Sequence, residues 1–357
     1  MDEARTGGDA VHASGHLGPR VLACRRDEGE TAMLPRNTAD YRTLLWTTMP
    51  VVMIAVQYAR PELIPYLWWV TCYFALACGV IAHNHNHCPT FRGRGMNQAF
   101  GNWISVFYGY PTFAWIPTHN LNHHKYLNTE GDATITWRYT NKHTFLVALT
   151  YFFVSAYYQS FPTNAFLKKT KANNPAFYGR IMGQYAYWAS AYVVLFAIAV
   201  WLYGWGQGFF VFLMTVAVPA FFALWTIMLF NYEQHVHTDP WSEHDHSRSF
   251  ESKLLNFLLF NNGYHAAHHE NPGMHWSKLG EEHAKIAPSI HPSLKQQSFW
   301  WYLVRQYALT PLFPKLGSVQ LGRGPNNALP GAKIMTTADV ELGEAGSNAS
   351  FVGVATP

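Results

Sequence analysis

Charge is what this sequence lacks. Only 13% of its 357 residues are Asp, Glu, Lys or Arg, against roughly 25% in soluble domains. A water-facing surface is hard to build from so little charge, and the 16% of Phe, Trp and Tyr suits rings seated at lipid headgroup level. The net charge of +4, with no basic run, argues against a nucleic-acid partner. Cysteine is scarce too: Cys24, Cys72, Cys78 and Cys88 form no CxxC, and two lie in an apolar run. They read as small buried hydrophobes facing a reducing compartment. The first forty residues hold no apolar core of a signal peptide, so none is expected. A zinc-protease HExxH is also missing, because Gly273 stands where the second histidine would follow His269 and Glu270. No ExxH pair of the kind used by soluble di-iron bundles occurs at the required positions.

What the sequence does have is long apolar runs. "LLWTTMPVVMIAVQYA" and "IPYLWWVTCYFALACGVIA" are separated only by "RPEL", and "YAYWASAYVVLFAIAVWLY" and "GFFVFLMTVAVPAFFALWTIMLF" only by "GWGQ". Each approaches the length needed to cross about 30 Å of hydrocarbon, which predicts two helical hairpins with spans near 43–60, 64–82, 185–203 and 208–230. The run at 97–117 is broken by Gly and Pro, and reads as an in-plane or re-entrant segment. The aromatic stretch at 145–161 is expected to lie in the plane or fold back. With four crossings, both termini and every histidine cluster share one side, and the basic residues of 168–180 make that side cytosolic. The expected fold is all-α and integral to the membrane, with four transmembrane helices and a cytosolic helical cap. Residues 1–38 read as a disordered cytosolic tail, 39–314 as the membrane domain and 315–357 as a flexible cytosolic tail.

The second abundance is histidine, nineteen against twenty-one carboxylates. His83 and His87 are four apart; His119 and His123 repeat that spacing, with His124 adjacent; His265, His268 and His269 are three and four apart. On a helix such pairs share a face within reach of one ion. His235 stands four residues after Asn231, at the end of the last apolar run. Nine imidazoles exceed one metal's needs and suit two. Spacing alone does not choose among iron, zinc and copper. His12, His85, His143, His237, His244, His246 and His275 read as surface or hydrogen-bonded residues.

"HNHNH", "HNLNHH" and "HAAHH" resemble the three histidine boxes of the integral-membrane fatty acid desaturase and hydroxylase superfamily. "NNGYHAAHHENPGMHW" is similar to that family's third-box surroundings, and "NYEQH" to the element before it. The resemblance covers roughly 43–290; the boxes are specific as a set and weak singly. His85, inside the first box, departs from the minimal pattern. The resemblance implies a mushroom-shaped helical fold with a cytosolic di-iron site. Its metal ligands would be His83, His87, His119, His123, His124, His265, His268 and His269, completed by His235, with Asn231 acting through water. One iron would draw on the first and second boxes, the other mainly on the second and third.

The implied cofactors are two non-haem Fe ions and O2. Electrons would come from a separate ferredoxin or cytochrome-type donor and its NAD(P)H reductase, and the substrate would be a fatty acid or acyl-carrier chain. The expected reaction is desaturation; hydroxylases, ketolases and 1-alkene-forming fatty acid decarboxylases share the boxes. A membrane metal transporter is the reading from another class, but transporters seat ligands near the midplane, whereas these clusters sit at span ends. Glu130, Asp132, Glu233, Asp239 and Glu270 are candidate acceptors behind the ligand rings. Trp103, Phe107, Tyr110 and Trp115 are candidates for a substrate tunnel, and Arg138, Lys142, Lys168 and Lys169 for an anionic carrier or lipid headgroups.

Overall fold

The computed structural model describes residues 33–323. His12, Cys24 and most of both expected tails lie outside them. The regular structure of the described residues is helical apart from an isolated bridge between Pro35 and Phe91 and a two-residue parallel pair, β1 (Ser249–Phe250) beside β2 (Lys295–Gln296).

Helix α1 (Asp40–Ala59) stops at Arg60, where Pro61 begins a short turn into α2 (Ile64–His87). Pro65 lies in the first turn of α2, where a missing N–H costs nothing. Pro89 ends α2: it holds Cys88 in an extended conformation, φ −131 and ψ 103. From Ile64 to His83 the helix rises about 28 Å at 1.5 Å per residue, close to a hydrocarbon thickness. Helix α3 (Arg94–Tyr108) follows, then a π-helical turn, Ile116–His123, that runs into the single turn α4 (His124–Tyr126). The segment read as broken at 97–117 is thus mostly α3 plus this turn.

Helix α5 (Phe145–Asn173) starts on a Thr144 cap, and α6 (Pro175–Phe212) starts on an Asn174 cap with Pro175 in its first turn. The basic stretch 168–180 is therefore helical, broken only at Asn174. A π turn (Leu213–Ala217) joins α6 to α7 (Val218–His235), where Pro219 has no N–H to give to the preceding turn. The stretch Pro175–His235 has 61 residues. It is not one rod, because Gly204 takes φ 73 and the chain reverses there. A Cβ on Gly208 would fall 2.6 Å from the Ala199 carbonyl oxygen, and Phe196 meets Phe212 at 5.4 Å between ring centroids. The two legs form an antiparallel hairpin, as the "GWGQ" break predicts.

The rest is short: α8 (Lys253–Leu258), α9 (His265–Glu270), α10 (Leu279–Ile286) and α11 (Phe299–Leu303). The core lies between α2, α3 and α7, tied to α1 by Trp46 Nε1 donating to Tyr73 Oη at 2.8 Å and Trp103 Nε1 to the Thr47 carbonyl at 3.0 Å. Helix α5 leans across α7: Trp225 donates to the Leu149 carbonyl, while Asn231 reaches Tyr151. Residues 318–321, inside the expected C-terminal tail, pack back on the molecule; Ser318 bonds His143 and His237, and Leu321 N donates to the His237 carbonyl.

Two helical stretches among the described residues, Pro61–His87 and Pro175–His235, are long and apolar enough to cross a membrane. The outward side chains of these legs include Tyr66, Trp69, Val193, Trp201 and Trp205, the last two 82% and 75% exposed.

Candidate metal centre

Each histidine arrives on an element whose local chemistry aims it. His83 and His87 lie one turn apart at the end of α2, with ring centroids at 4.8 Å. His85 turns away: its Nδ1 accepts from the Thr90 hydroxyl at 2.8 Å and its Nε2 donates to the Asn97 carbonyl at 3.3 Å. His119 and His123 occupy the π turn. Its i→i+5 pattern sets His119 beside His124, Nε2 to Nε2 at 3.1 Å, and sends His123 elsewhere. His265, His268 and His269 fill α9, reached through "FNNG", in which Phe260 and Asn261 take positive φ. A Cβ on Gly263 would lie 2.4 Å from the Phe250 carbonyl oxygen and 2.6 Å from Asn256 Oδ1, so only glycine fits there. His235 ends α7, which the buried Arg248 guanidinium caps by donating to the Glu233 and Val236 carbonyls.

The nitrogens converge as two groups, one of His83, His87, His119 and His268, the other of His123, His235, His265 and His269; within each, one nitrogen per ring lies within 4.8 Å of all the others. His124 joins the first, its Nε2 3.1 Å from the Nε2 atoms of His119 and His268. His83 Nε2 is 2.9 Å from His119 Nε2 and 3.1 Å from His268 Nε2. In the second group, His235 Nε2 lies 3.2, 2.9 and 3.3 Å from the Nε2 atoms of His123, His265 and His269. The implied division therefore differs in one respect: the third box is split, with His268 joining the ligands of the first two.

Such an arrangement fits a cation. Each of these contacts joins two ring nitrogens of the same kind, and an N–H can serve only one of the neighbours that face it, so lone pairs are left converging in a buried space. Both ring nitrogens of His87 are buried without a hydrogen-bond partner, as are the Nδ1 atoms of His265 and His269. Burial first, and then the neighbouring imidazoles, hold His119, His124, His265, His268 and His269 well below the usual histidine range. They are neutral at physiological pH, the form that binds metal. Neither group contains a carboxylate; the donor set suits two transition-metal ions.

Behind the rings, Asp132 Oδ2 accepts from His123 Nδ1 at 2.7 Å, which turns the lone pair of Nε2 toward the group. Burial would raise the Asp132 carboxyl, but the charge and hydrogen bond of His123, with Thr134, bring it to about 2. The His246 carbonyl accepts from His235 Nδ1 at 3.3 Å. The other proposed acceptors serve elsewhere: Glu233 accepts from His143 and Tyr307, Glu270 from His244, Asp239 from the Trp241 amide, and Glu130 is exposed. Asn128 was not singled out by the sequence, yet it links the His235 segment to Asp132, the acceptor behind His123. Its Nδ2 donates to the His235 carbonyl at 2.9 Å and its backbone N–H to Asp132 at 2.7 Å. Its positive φ of 61° is a role that Asn tolerates.

A cavity of about 390 Å³ counts His83, His119 and His265 among its lining residues. Trp115, Tyr108, Phe230 and Ile227 wall it near the histidines, and α5 lines its length from Phe152 to Leu167. None of its lining side chains is Asp, Glu, Lys or Arg. Of the expected tunnel residues Tyr110 and Trp115 line it, while Trp103 and Phe107 pack in the core. Arg138 is buried over the Tyr158 ring, its guanidinium donating to the Asp132 carbonyl, so it is not an anion site; Lys142, Lys168 and Lys169 are exposed. Asn231 lines the cavity and donates to Tyr151 Oη at 2.9 Å.

Fold and site together define a helical protein with two all-imidazole groups fit to hold metal, beside a cavity that His83, His119 and His265 help to line. The family model for fatty acid desaturase matches residues 62–301, and the chain belongs to that family. No curated protein and no solved structure matches it.

Proposed function

We propose that this chain is a membrane-bound, O2-dependent oxidoreductase holding two irons, and that it introduces a double bond into the alkyl chain of a fatty acid or fatty acyl substrate. The observation that carries the reading is two nitrogen-only groups, each with at least one histidine lining a cavity that holds no Asp, Glu, Lys or Arg side chain. His83, His87, His119, His124 and His268 would hold one iron, and His123, His235, His265 and His269 the other. Iron and O2 there supply the oxidising power toward an unactivated C–H bond that side chains lack.

The protein's own part is placement. Trp115, Tyr108 and Phe230 hold methylenes by contact, exclude water and fix which carbon stands next to His83 and His119. Asn231, held by Tyr151, is positioned to orient a water in the cavity. Four crossing helices, α1, α2 and the two legs of 175–235, explain the outward Tyr66, Trp69, Trp201 and Trp205, which would otherwise face water. Arg92 and Arg94 follow the His87 end of α2, which favours a cytosolic metal side. Electrons come from a separate ferredoxin or cytochrome-type protein served by an NAD(P)H reductase.

The test is to supply the purified protein with C16–C18 acyl substrates, O2 and a reductant, and to identify products by mass spectrometry. An unsaturated chain of unchanged length supports the reading. An added hydroxyl makes the protein a hydroxylase, a shortened terminal alkene makes it a decarboxylase, and iron-free protein overturns the proposal.

A further inference from the structure

Of the nine imidazoles only His124 and His269 are partly exposed; the others are buried. The residues beside these two differ in charge. Lys125 follows His124 and holds its ammonium over the Tyr126 ring at 4.9 Å, whereas Glu270 follows His269. The Glu270 carboxylate is partly exposed and accepts from His244 Nδ1 at 2.8 Å, which leaves Nε2 as the lone-pair nitrogen of His244. Glu243 and Asp245 flank His244 in the chain, so the His269 side of the centre is acidic.

A further imidazole stands behind this pair. The His246 ring is buried and lies 5.6 Å from the His269 ring, centroid to centroid. Both rings carry an Nδ1 that is buried without a hydrogen-bond partner among the described residues. An unmet buried nitrogen is costly, and two on neighbouring rings leave room for a cation as their partner. It is the carbonyl of His246, not its ring, that holds His235.

From this we infer that Glu270, His244 and His246 form an entry path by which a ferrous ion passes from solvent to His269; the inference rests on the proposed di-iron function. The acidic mouth raises the local concentration of a divalent cation. Glu270 and His244 exchange their mutual hydrogen bond for the ion and replace part of its water shell with oxygen and nitrogen. His246 takes it next and His269 last, so that no step leaves a bare charge among apolar groups. The cavity is the competing route, but none of its lining side chains is Asp or Glu, and it offers a dication no counter-charge.

The experiment is isotope exchange in the iron-loaded protein. Purified protein, reduced and kept anaerobic, is incubated with an isotopically enriched ferrous salt, and the label taken up over time is counted by mass spectrometry. His244→Gln, Glu270→Gln and His246→Phe should each slow exchange about tenfold. Total iron per chain should stay at the parental level, because a path alters entry and exit alike and leaves affinity unchanged. Glu281→Gln, which removes an exposed carboxylate elsewhere, and Ala114→Leu, which narrows the cavity, should leave the rate as it is. Slowing by Ala114→Leu with none in the path variants would overturn the inference in favour of entry through the cavity. Equal slowing by Glu281→Gln would reduce the effect to net charge, and lost iron in the path variants would make these residues supports of His269; either result also overturns it. Iron-free parent protein sinks the functional reading and this inference with it, whereas iron-loaded variants that exchange at the parental rate sink this inference alone.

Discussion

His119 and His123 stack ring on ring, 5.1 Å between centroids and 27° between planes, yet their nitrogens serve different groups. The π turn is the cause, since it pairs His119 with His124 and frees His123 to meet His235. An unequal outcome follows. His124→Ala leaves four nitrogens in the first group, whereas His123→Ala leaves three in the second. Iron per chain, measured by elemental analysis, should fall further in His123→Ala. Both variants should lose turnover, and equal iron retention would argue against the division.

Asp132→Asn tests the acceptor behind His123. The neutral amide no longer draws the Nδ1 proton as strongly, so iron affinity should weaken by about 10- to 100-fold. A competition titration against a chelator reads this directly; affinity equal to that of the parent would remove Asp132 from any orienting role. The carboxyl lies at about 2, below its ordinary range. Its contribution to stability is therefore complete above the ordinary carboxyl range and is lost only as pH falls through about 2. Acid sensitivity at pH 5–6 is not expected from this carboxyl.

Gly263→Ala should act at a distance from the metals but through them. The added methyl meets the Phe250 carbonyl and Asn256 Oδ1, neither of them free to move, because Asn256 is bonded to both strands of the turn. Overpacking of this kind costs about 1–3 kcal/mol, and it shifts α9, which feeds both groups. A lowered Tm together with loss of iron from both positions is expected; unchanged iron content would mean that α9 tolerates the shift.

Ala114→Leu narrows the cavity beside Trp115 without touching a ligand. Iron content should stay unchanged while turnover of the longest acyl chains falls most, as read by product yield across a chain-length series. A uniform fall across all lengths would place the acyl chain elsewhere.

Much of this was legible in the residues. The helical hairpins could be read because apolar runs were interrupted at "RPEL" and "GWGQ", and the structure turns the chain at Pro61 and Gly204. The histidine clusters could be read because their spacing is three or four. Two things were hidden. A π turn has no simple signature in sequence, so the partition of His119, His123 and His124 could not be foreseen from α-helical spacing. Contacts between distant segments were hidden as well: Asn128 and Arg248 act on His235 across more than ten residues of chain, through backbone carbonyls that no motif advertises. His85 and His246 read alike in sequence, yet one ties α2 to α3 and the other orients His235.

The most direct measurement is metal content per chain in the purified, active protein, paired with X-ray absorption at the iron edge. Roughly two iron atoms per chain in an all-nitrogen and oxygen environment, without sulfur, is the expected result. One iron or fewer in fully active protein, or zinc in its place, would contradict the two-group centre on which the functional reading stands.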